Sequence, residues 1–312
     1  MDIVCLGDAL IDFKATGPLA FQGFVGGSPL NVAVTAARLG AASGFASQLS
    51  SDQFGQAIRR HLLENGVDER FVLESDAPST LAFVGEVGGE AVFDFLAQGS
   101  ADASFDPRPR QRFPDEVAFV QFGSISLLQE PAASALTDTA RAHRARATVV
   151  FDPNVRPALI IDRAAYEKRL REDWLEISHL VKVSAQDLRW LYPGANFAAV
   201  ATDWLGRGPD AVIVTEGERG VTLYQREGAP LKVSAPQVRV VDTVGAGDTF
   251  TGALMVRLLE RALRPGAHDE AAWRDALGFA AAAAALACTR AGANPPRRDE
   301  LEDFLSQPSS QG

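Results

Sequence analysis

The sequence predicts an α/β fold, in which three layers enclose a mostly parallel sheet and a small second β-sheet is attached. Short apolar runs rich in β-branched residues alternate with helix-like stretches, as in parallel sheets that are covered on both faces. Two further runs of alternating polarity flank Gly88-Gly89, which is the signature of a hairpin with one apolar face. The chain has 312 residues, 46% of them hydrophobic, enough for a large core.

The elements follow from these patterns. The predicted strands of the core are DIVCLG, VAFVQFG, ATVVFDP, HLVKVS and AVIVTEG. The predicted helices occupy 29–39, 53–65, 131–145 and 166–177. Segments of about 12–25 and 78–98 are expected to form a small antiparallel sheet, either a lid or a surface for pairing two subunits. We treat 1–312 as one domain, with a flexible tail at 306–312.

Composition excludes several classes of function. A net charge of -10 and a pI near 5.0 argue against binding to nucleic acid, which needs a basic face. The apolar tract 276–288 is too short for a membrane span. Cys5 and Cys288 have no metal-ligand spacing and are expected to be reduced, buried thiols. The N-terminus has the pattern of a buried strand and not of a signal peptide, so a cytoplasmic location is expected.

The stretch DTVGAGDTF, residues 242–250, carries the strongest chemical signal. VRVVD before it is predicted to be a strand, and TFTGALMVRLLERAL after it has helical periodicity. The first amides of a helix lack internal partners, and Gly245, Ala246 and Gly247 would let an anion approach them. The motif is neither a Walker loop nor GxGxxG. Two interpretations remain: a tight turn with Asp248 as N-cap, or an anion site with a base beside it.

Two motifs now indicate a family. DTVGAGDTFTGAL resembles the C-terminal signature of the ribokinase-like (PfkB) sugar kinases, and GGSPLNVAVTAARLG, 26–40, is similar to their first signature. The resemblance runs from about residue 3 to 305. It implies a ribokinase-like core with a small β lid. It also implies that Asp248 takes a proton from a sugar hydroxyl that attacks the γ-phosphoryl of ATP, while the amides of 245–247 stabilise the developing charge.

The first signature also has a meaning of its own. Ser28 is a good N-cap, and Asn31 then falls in the first turn, where an asparagine is unfavourable unless its amide acts outside the helix. A solvated polar side chain is the alternative. The resemblance implies that Gly27, Asn31 and Asp12 hold sugar hydroxyls, a task that suits groups able to form several hydrogen bonds.

The nucleotide positions are implied by weaker matches. TEGERG, 215–220, resembles the family's nucleotide loop, and alone would simply be a turn. In KVSAQD, serine and aspartate replace the asparagine and glutamate that the family usually shows around Mg-ATP, so contact with Mg²⁺ is expected through water. The predicted nucleotide positions are Ser184, Asp187, Thr215, Gly217, Gly220 and Gly247.

A monovalent cation, K⁺ in particular, is a further implication of the resemblance. The positions that match such a site in some relatives are Asp242, Val244, Ala287, Arg290 and Gly292. A structural loop that carries no ion explains the same residues equally well.

The substrate is narrowed by three segments. FDPNVRPALI resembles a stretch shared by bacterial fructokinases and 2-keto-3-deoxygluconate kinases, whereas GSISLLQEP and FLAQGSAD look more like fructokinase. A keto acid carries a carboxylate that needs a fixed arginine. The keto-acid kinases show a Tyr-Arg pair where this chain has Leu96 and Ala97. Arg156 remains as a substrate-binding candidate, and it could serve the phosphates in either enzyme.

We therefore predict an ATP-dependent kinase that converts fructose to fructose 6-phosphate. The alternatives are a 2-keto-3-deoxygluconate kinase, a ribokinase or nucleoside kinase, and a catalytically silent sugar-binding regulatory protein. The intact Asp248 counts against the last, since binding alone needs no base in an anion loop. The expected partners are the sugar and ATP, with a homodimer through the small sheet as a further expectation.

Overall fold

A computed structural model describes residues 1–87, 90–107 and 116–307. The strands are β1 (Ile3–Leu6), β2 (Leu10–Gly17), β3 (Ala20–Gly26), β4 (Ser43–Ser50), β5 (Asp68–Ser75), β6 (Thr80–Val87), β7 (Glu90–Leu96), β8 (Phe119–Gly123), β9 (Thr148–Asp152), β10 (Leu180–Ser184), β11 (Ala211–Thr215), β12 (Val221–Gln225) and β13 (Leu231–Val233). The helices are α1 (Ser28–Arg38), α2 (Gln53–Glu64), α3 (Ala132–His143), α4 (Arg163–Arg169), α5 (Leu175–Ile177), α6 (Ala185–Leu191), α7 (Phe197–Leu205), α8 (Ala246–Glu260), α9 (Glu270–Ala287) and α10 (Arg298–Ser306). A π-helical turn, Leu170–Trp174, joins α4 to α5. The predicted turn at Gly88-Gly89 and residues 308–312 of the predicted tail lie outside the described residues, and Ser306 still belongs to α10.

The large sheet has the strand order β13-β12-β11-β10-β9-β8-β1-β4-β5. Every pairing from β11 to β5 is parallel, and only β12 and β13 add antiparallel pairings at one edge. This confirms the predicted, mostly parallel core. β1 lies within this order, with β4 beside it on one side and the later strand β8 on the other. The carboxyl ends of β1 and β8 therefore open a crevice of the kind where ligands bind in such sheets.

Side chains on both faces of the sheet are buried, as the continuous apolar strands predict. Along β1, Ile3 and Cys5 join one core cluster, and Val4 and Leu6 join the other. The first cluster lies under α1, α8 and α9. The second lies under α3 and contains Trp174. Because successive side chains of a strand alternate between faces, one short run supplies both cores. No helix of the described residues is long and apolar enough to cross a membrane.

The small sheet has the order β3-β2-β6-β7 and matches the segments predicted to be extended. β2–β3 and β6–β7 are antiparallel hairpins, but β2 and β6 pair in parallel, with Asp12 opposite Ala82. Sequence pattern predicted only antiparallel pairing. The parallel contact arises because the chain passes through α1, β4, α2 and β5 between the two hairpins. On one face Phe13 stacks on Phe83 at 5.1 Å between ring centroids.

The segment VRVVD does not form the predicted strand. The amides of Val241 and Asp242 both donate to the carbonyl of Cys288, at 2.8 and 3.2 Å, so they cannot form a ladder with a neighbouring strand. Val240 and Val241 are half exposed, which removes the burial that favours an apolar strand. The glycine turn is consequently reached from a surface loop.

Candidate active site

One cleft of about 900 Å³ lies between the carboxyl ends of the parallel strands and the small sheet. It brings together predicted residues from all parts of the chain. The predicted residues on its wall are Asp12, Gly27, Asn31, Arg156, Ser184, Asp187, Thr215, Gly217, Val244, Gly245, Gly247 and Asp248. Among the described residues, the other predicted positions are not on this wall, namely Gly220, Asp242, Ala246, Ala287, Arg290 and Gly292.

Asp248 lies in the first turn of α8 and is buried. Ser28 donates its hydroxyl to Oδ1 of Asp248 at 2.6 Å, and the side-chain amide of Asn31 donates to Oδ2 at 2.8 Å. Ser28 and Asp248 are not the N-caps that the sequence suggested. The N-cap positions of α1 and α8 are occupied by Gly27 and Gly245. Asn31 does act outside its own helix, as its unfavourable position suggested.

The surroundings of Asp248 change its affinity for a proton. Burial raises the pKa of Asp248, and hydrogen bonds from Ser28 and Asn31 together with the charge of Lys182 work against that rise. A carboxyl group whose pKa approaches the working pH accepts a proton more readily in a transition state. The two donors also fix the direction of the carboxylate.

Lys182 is a buried charge beneath the glycine turn. Its ammonium donates to Asp152 at 2.8 Å, and both side chains are buried. Burial disfavours the ammonium, but attraction to Asp152, and then to Asp248 and Asp187, raises the pKa of Lys182 overall. A Cβ on Gly247 would lie 2.7 Å from this ammonium. Sequence reasoning missed Lys182, although a lysine inside the apolar strand HLVKVS is itself a signal.

The turn itself requires glycine. Gly245 has φ +75°, and a Cβ there would lie 2.7 Å from Cβ of Ala293. The amide of Ala246 donates to the carbonyl of Thr243 at 3.3 Å, which is a long hydrogen bond. Gly245 and Gly247 line the cleft, and the Lys182 ammonium lies beside Gly247. A small anion at the turn would be attracted by the backbone amides and by the ammonium.

Asp8 is a second buried carboxyl group that sequence reasoning missed. It follows Gly7 after the central strand β1 and accepts hydrogen bonds from the Ser28 amide at 3.2 Å and the Ser126 hydroxyl at 3.1 Å. Burial, and then the charge of Asp102, raises the pKa of Asp8 to about 7. Asp8 therefore holds the start of α1, the helix whose Ser28 and Asn31 hold Asp248.

Asp12 and Arg156 both line the cleft and interact through their charges. Burial raises the pKa of Asp12 to about 6, with Arg156 opposing the rise and Asp248 adding to it. Arg156 donates to Oδ1 of Asn154 at 2.6 Å, so its guanidinium is held by its own loop. With Asp8, Asp12 and Asp248 on the wall, this part of the cleft is rich in carboxylates.

The predicted nucleotide residues form two compact turns. Ser184 and Asp187 make a capping box for α6, and Asp187 also accepts from the amide of Val155 at 3.2 Å. Burial and the charge of Asp152 raise the pKa of Asp187. In the second turn the Gly220 amide donates to Gly217 at 2.9 Å. A Cβ on Gly220 would meet the carbonyl of Val233 at 2.1 Å, so this glycine serves the turn.

Leu96 and Ala97, two of the positions used to choose between substrates, do not line the cleft. Leu96 is 62% exposed and Ala97 is buried, whereas the neighbouring Phe95 and Val84 are on the cleft wall. Alternation along β7 places Phe95 and Leu96 on opposite faces. The comparison of Leu96 and Ala97 with a Tyr-Arg pair thus concerns the edge of the site.

The predicted cation positions are close together. Asp242 accepts from the Val244 amide at 3.1 Å and from the Gly292 amide at 2.8 Å, and it also accepts from the ammonium of Lys14. The carbonyl of Ala287 accepts from the amide of Arg290 at 3.1 Å.

Comparison with known proteins agrees with this geometry. A fructokinase from Rhizobium leguminosarum bv. trifolii is 32% identical over 263 residues, which is 82% of this chain and 79% of that protein. The structure of a Xylella fastidiosa fructokinase with bound ATP has a TM-score of 0.88 and 31% identity, covering 97% of this chain and 98% of that one.

Two further structures are informative. An aminoimidazole riboside kinase from Salmonella enterica, in complex with aminoimidazole riboside and an ATP analogue, has a TM-score of 0.87 and 31% identity, covering 98% of this chain and all, 100%, of that one. A double-mutant fructokinase from Vibrio cholerae O395, in fructose-, ADP- and potassium-bound form, has a TM-score of 0.84 and 26% identity, covering 98% of each chain.

The sequence model of one protein family matches almost the whole chain. The model for the pfkB family carbohydrate kinases matches residues 1–300. The fold, the sequence signatures and the cleft agree with that match. Together they show a phosphotransferase that acts on a sugar hydroxyl. This chain belongs to the pfkB family of carbohydrate kinases.

Proposed function

We propose that the protein is an ATP-dependent fructokinase that makes fructose 6-phosphate. The observation that carries the proposal is the buried Asp248, held by Ser28 and Asn31 at the glycine turn and open to the cleft. The fructokinases among the relatives support fructose as the acceptor. A sugar-binding regulatory protein would have no need for this carboxylate beside the turn.

The proposed reaction uses the residues as follows. Asp248 takes the proton of the sugar hydroxyl, whose oxygen forms a bond to the γ-phosphorus of ATP while the bond from that phosphorus to the ADP oxygen breaks. Backbone amides of Gly245, Ala246 and Gly247 stabilise the charge on the transferring group. The Lys182 ammonium adds a fixed positive charge beneath them. A positioned base contributes about 10²- to 10⁴-fold to such a rate.

Recognition of the sugar is assigned to the side of the cleft near the small sheet. We assign hydroxyl contacts to Asp12, Gly27 and Asn31, and substrate orientation to Arg156. The small sheet would act as a lid over the sugar, within a single domain. Apolar side chains of Leu10, Val84 and Phe95 complete this wall and suit the carbon face of a sugar ring.

Charge favours a neutral substrate over a keto acid. Asp8, Asp12 and Asp248 all face this part of the cleft, and a substrate carboxylate would add a negative group beside these three carboxyl groups. Of the lysines on the described wall, Lys182 is paired with Asp152 and Lys14 with Asp242. Arg189 and Arg219 belong to the predicted nucleotide end of the wall, in α6 and beside Gly217. Arg156, the arginine whose charge acts on Asp12, already donates its guanidinium to Asn154.

The cosubstrate is ATP, with its adenosine end at the turn of Thr215, Gly217 and Gly220. Among the described residues there is no cluster of three His, Cys, Asp or Glu side chains that could hold a metal. Mg²⁺ therefore fits as an ion carried by the phosphates, which Asp187 and Ser184 approach through water. When bound, it neutralises charge on the phosphates.

Two further proposals concern the oligomeric state and the location of the protein in the cell. We propose a homodimer through the small sheet, because β3 and β7 are edge strands and the side chains of Leu19 and Phe21 are exposed there. We propose a cytoplasmic location, where ATP is available and where the free thiols of Cys5 and Cys288 stay reduced.

The decisive experiment measures ADP release with fructose, 2-keto-3-deoxygluconate, ribose, adenosine and aminoimidazole riboside. We expect the highest kcat/KM for fructose, and phosphorus NMR of the product should show the 6-phosphate. Preference for the keto acid or for a riboside would overturn the fructokinase assignment. Sugar binding by calorimetry with no ADP release from any member would favour the silent binding protein.

A further inference from the structure

An ion pair joins the small sheet to the loop that leads into the glycine turn. Lys14 of β2 donates to Asp242, and the two side chains are 28% and 14% exposed. The same carboxylate accepts the amides of Val244 and Gly292. Partial burial would raise the pKa of Asp242, but the hydrogen bonds from Lys14, Gly292 and Val244 outweigh it and hold that pKa below its ordinary value.

A second contact supports the same junction. Phe24 of β3 lies beside Gly292, where an added Cβ would be only 3.0 Å from its ring. The Lys14 ammonium is 5.7 Å from the centre of the Phe24 ring, within range of a cation–π attraction. Phe24 is opposite Asp12 in the β2–β3 register. The small sheet thus contacts the 242–244 and 290–292 segments through two neighbouring side chains.

The geometry of β2 links this junction to the substrate. Side chains two residues apart on a strand point to the same face, so Asp12 and Lys14 face the cleft together. Both line its wall. Fixing Lys14 on Asp242 therefore fixes the position of the Asp12 carboxylate relative to the turn that contains Gly245 and Gly247.

With the Lys14 ammonium in place, a free potassium ion does not fit here. A monovalent cation needs the Asp242 carboxylate, and that carboxylate already carries an ammonium and two amide hydrogens. Among the described residues, the carbonyls of Ala287 and Gly292 each accept only one amide, from Arg290 at 3.1 Å and from Asn294 at 2.9 Å, and keep a second lone pair, so the ammonium is what excludes the ion. A second cation beside the Lys14 ammonium would be repelled at short range.

We propose that Lys14 is a tethered cation that does the work of a bound monovalent ion at Asp242. It is a positioning residue, which holds the 242–247 segment and the sugar-binding strand β2 in register. The activity readout rests on the proposed sugar-kinase function, whereas the stability readout below does not. Free K⁺ is then not required by the intact protein.

The test compares the full-length protein with Lys14→Met, Lys14→Arg and the control Lys232→Met, whose lysine is exposed on β13. ADP release and melting temperature are measured in chloride salts of K⁺, Na⁺ and tetramethylammonium at equal ionic strength. The wild type should vary less than about twofold among the salts. In tetramethylammonium, Lys14→Met should lose about 10-fold in kcat/KM for the sugar, because a small misplacement of substrate groups costs at least that much.

Ion rescue distinguishes this role from simple packing. K⁺ should restore most of the lost activity of Lys14→Met and raise its melting temperature, while Lys14→Arg and Lys232→Met behave like the wild type. Activation of the wild type by K⁺ of more than about fivefold would overturn the proposal. So would a Lys14→Met protein that is fully active in every salt, or one whose activity and melting temperature do not respond to K⁺. If no sugar is phosphorylated at all, the proposed function fails, and the melting temperatures still test Lys14.

Discussion

The two sides of the cleft hold their charges differently. On one side, which we call the floor, Lys182 and Asp152 are almost completely buried and hydrogen-bonded to each other, and Asp248 is buried beside them. On the small sheet, Lys14 and Asp242 are partly exposed. Buried charges act through a low effective dielectric constant, whereas exposed pairs are screened by water and salt. The difference supports our proposal that the buried pair serves the chemical step and the small sheet places the sugar.

The strongest test of the floor is Asp248→Asn. The amide keeps the shape of the carboxylate but cannot take the proton, so we expect kcat to fall by about 10²- to 10⁴-fold with KM for fructose changed only a few-fold. ADP release measures both. Asp303→Asn, at an exposed aspartate of α10, is the matched control. A kcat within tenfold of the wild type would remove Asp248 as the base.

Lys182→Met tests whether the buried ammonium serves chemistry as well as folding. Removing it leaves Asp152 charged and unpaired, which should cost about 3–5 kcal/mol in the free energy of unfolding. We expect kcat to fall about 10²-fold, as when one stabilising donor is lost from such a site. Denaturant unfolding and ADP release measure the two effects.

The double variant Lys182→Met/Asp152→Asn separates these effects. It should recover much of the stability, since no buried charge is left alone, while kcat remains low. Recovery of both quantities would show that Lys182 acts only as a structural partner of Asp152.

The smallest effect concerns the sugar side and its pH dependence. The pKa of Asp12 is about 6, above its ordinary value, so its ionisation should make kcat/KM for fructose rise with pH through this region, together with that of Asp248, whose pKa is also raised. Arg156 lowers the pKa of Asp12, so Arg156→Gln should move the acidic limb to higher pH, apart from any change in the maximum. A pH profile of kcat/KM measures it, and an unmoved limb would contradict the link between Arg156 and Asp12.

The parts of the site that follow local patterns were predictable from sequence. The parallel core follows from short apolar strands, and the turn at 242–250 follows from glycines placed before a segment with helical periodicity. Asn31 could be identified because an asparagine in a first turn is locally unfavourable. In each case the physical reason lies within a few neighbouring residues.

The remaining features depend on partners that are distant in sequence. Lys182 lies in the middle of β10 and Asp8 just after β1, and the partners that give them a role, Asp152 and Ser28, are distant in sequence. The parallel pairing of β2 with β6 depends on the path between them. VRVVD was wrongly predicted to be a strand, because its apolar character says nothing of the Cys288 carbonyl that takes both its amides.

The hydrogen bonds of Asp248 have a consequence for how the newly synthesised chain folds. Its partners Ser28 and Asn31 are 220 and 217 residues earlier in the chain, and Lys14 and Asp242 are 228 apart. Contacts between such distant segments form slowly, since a long loop must close before they contribute. A growing chain therefore cannot assemble its base until most of it has been synthesised. Regain of kinase activity on refolding would report the joining of the two ends of the chain, and not merely the formation of the sheet.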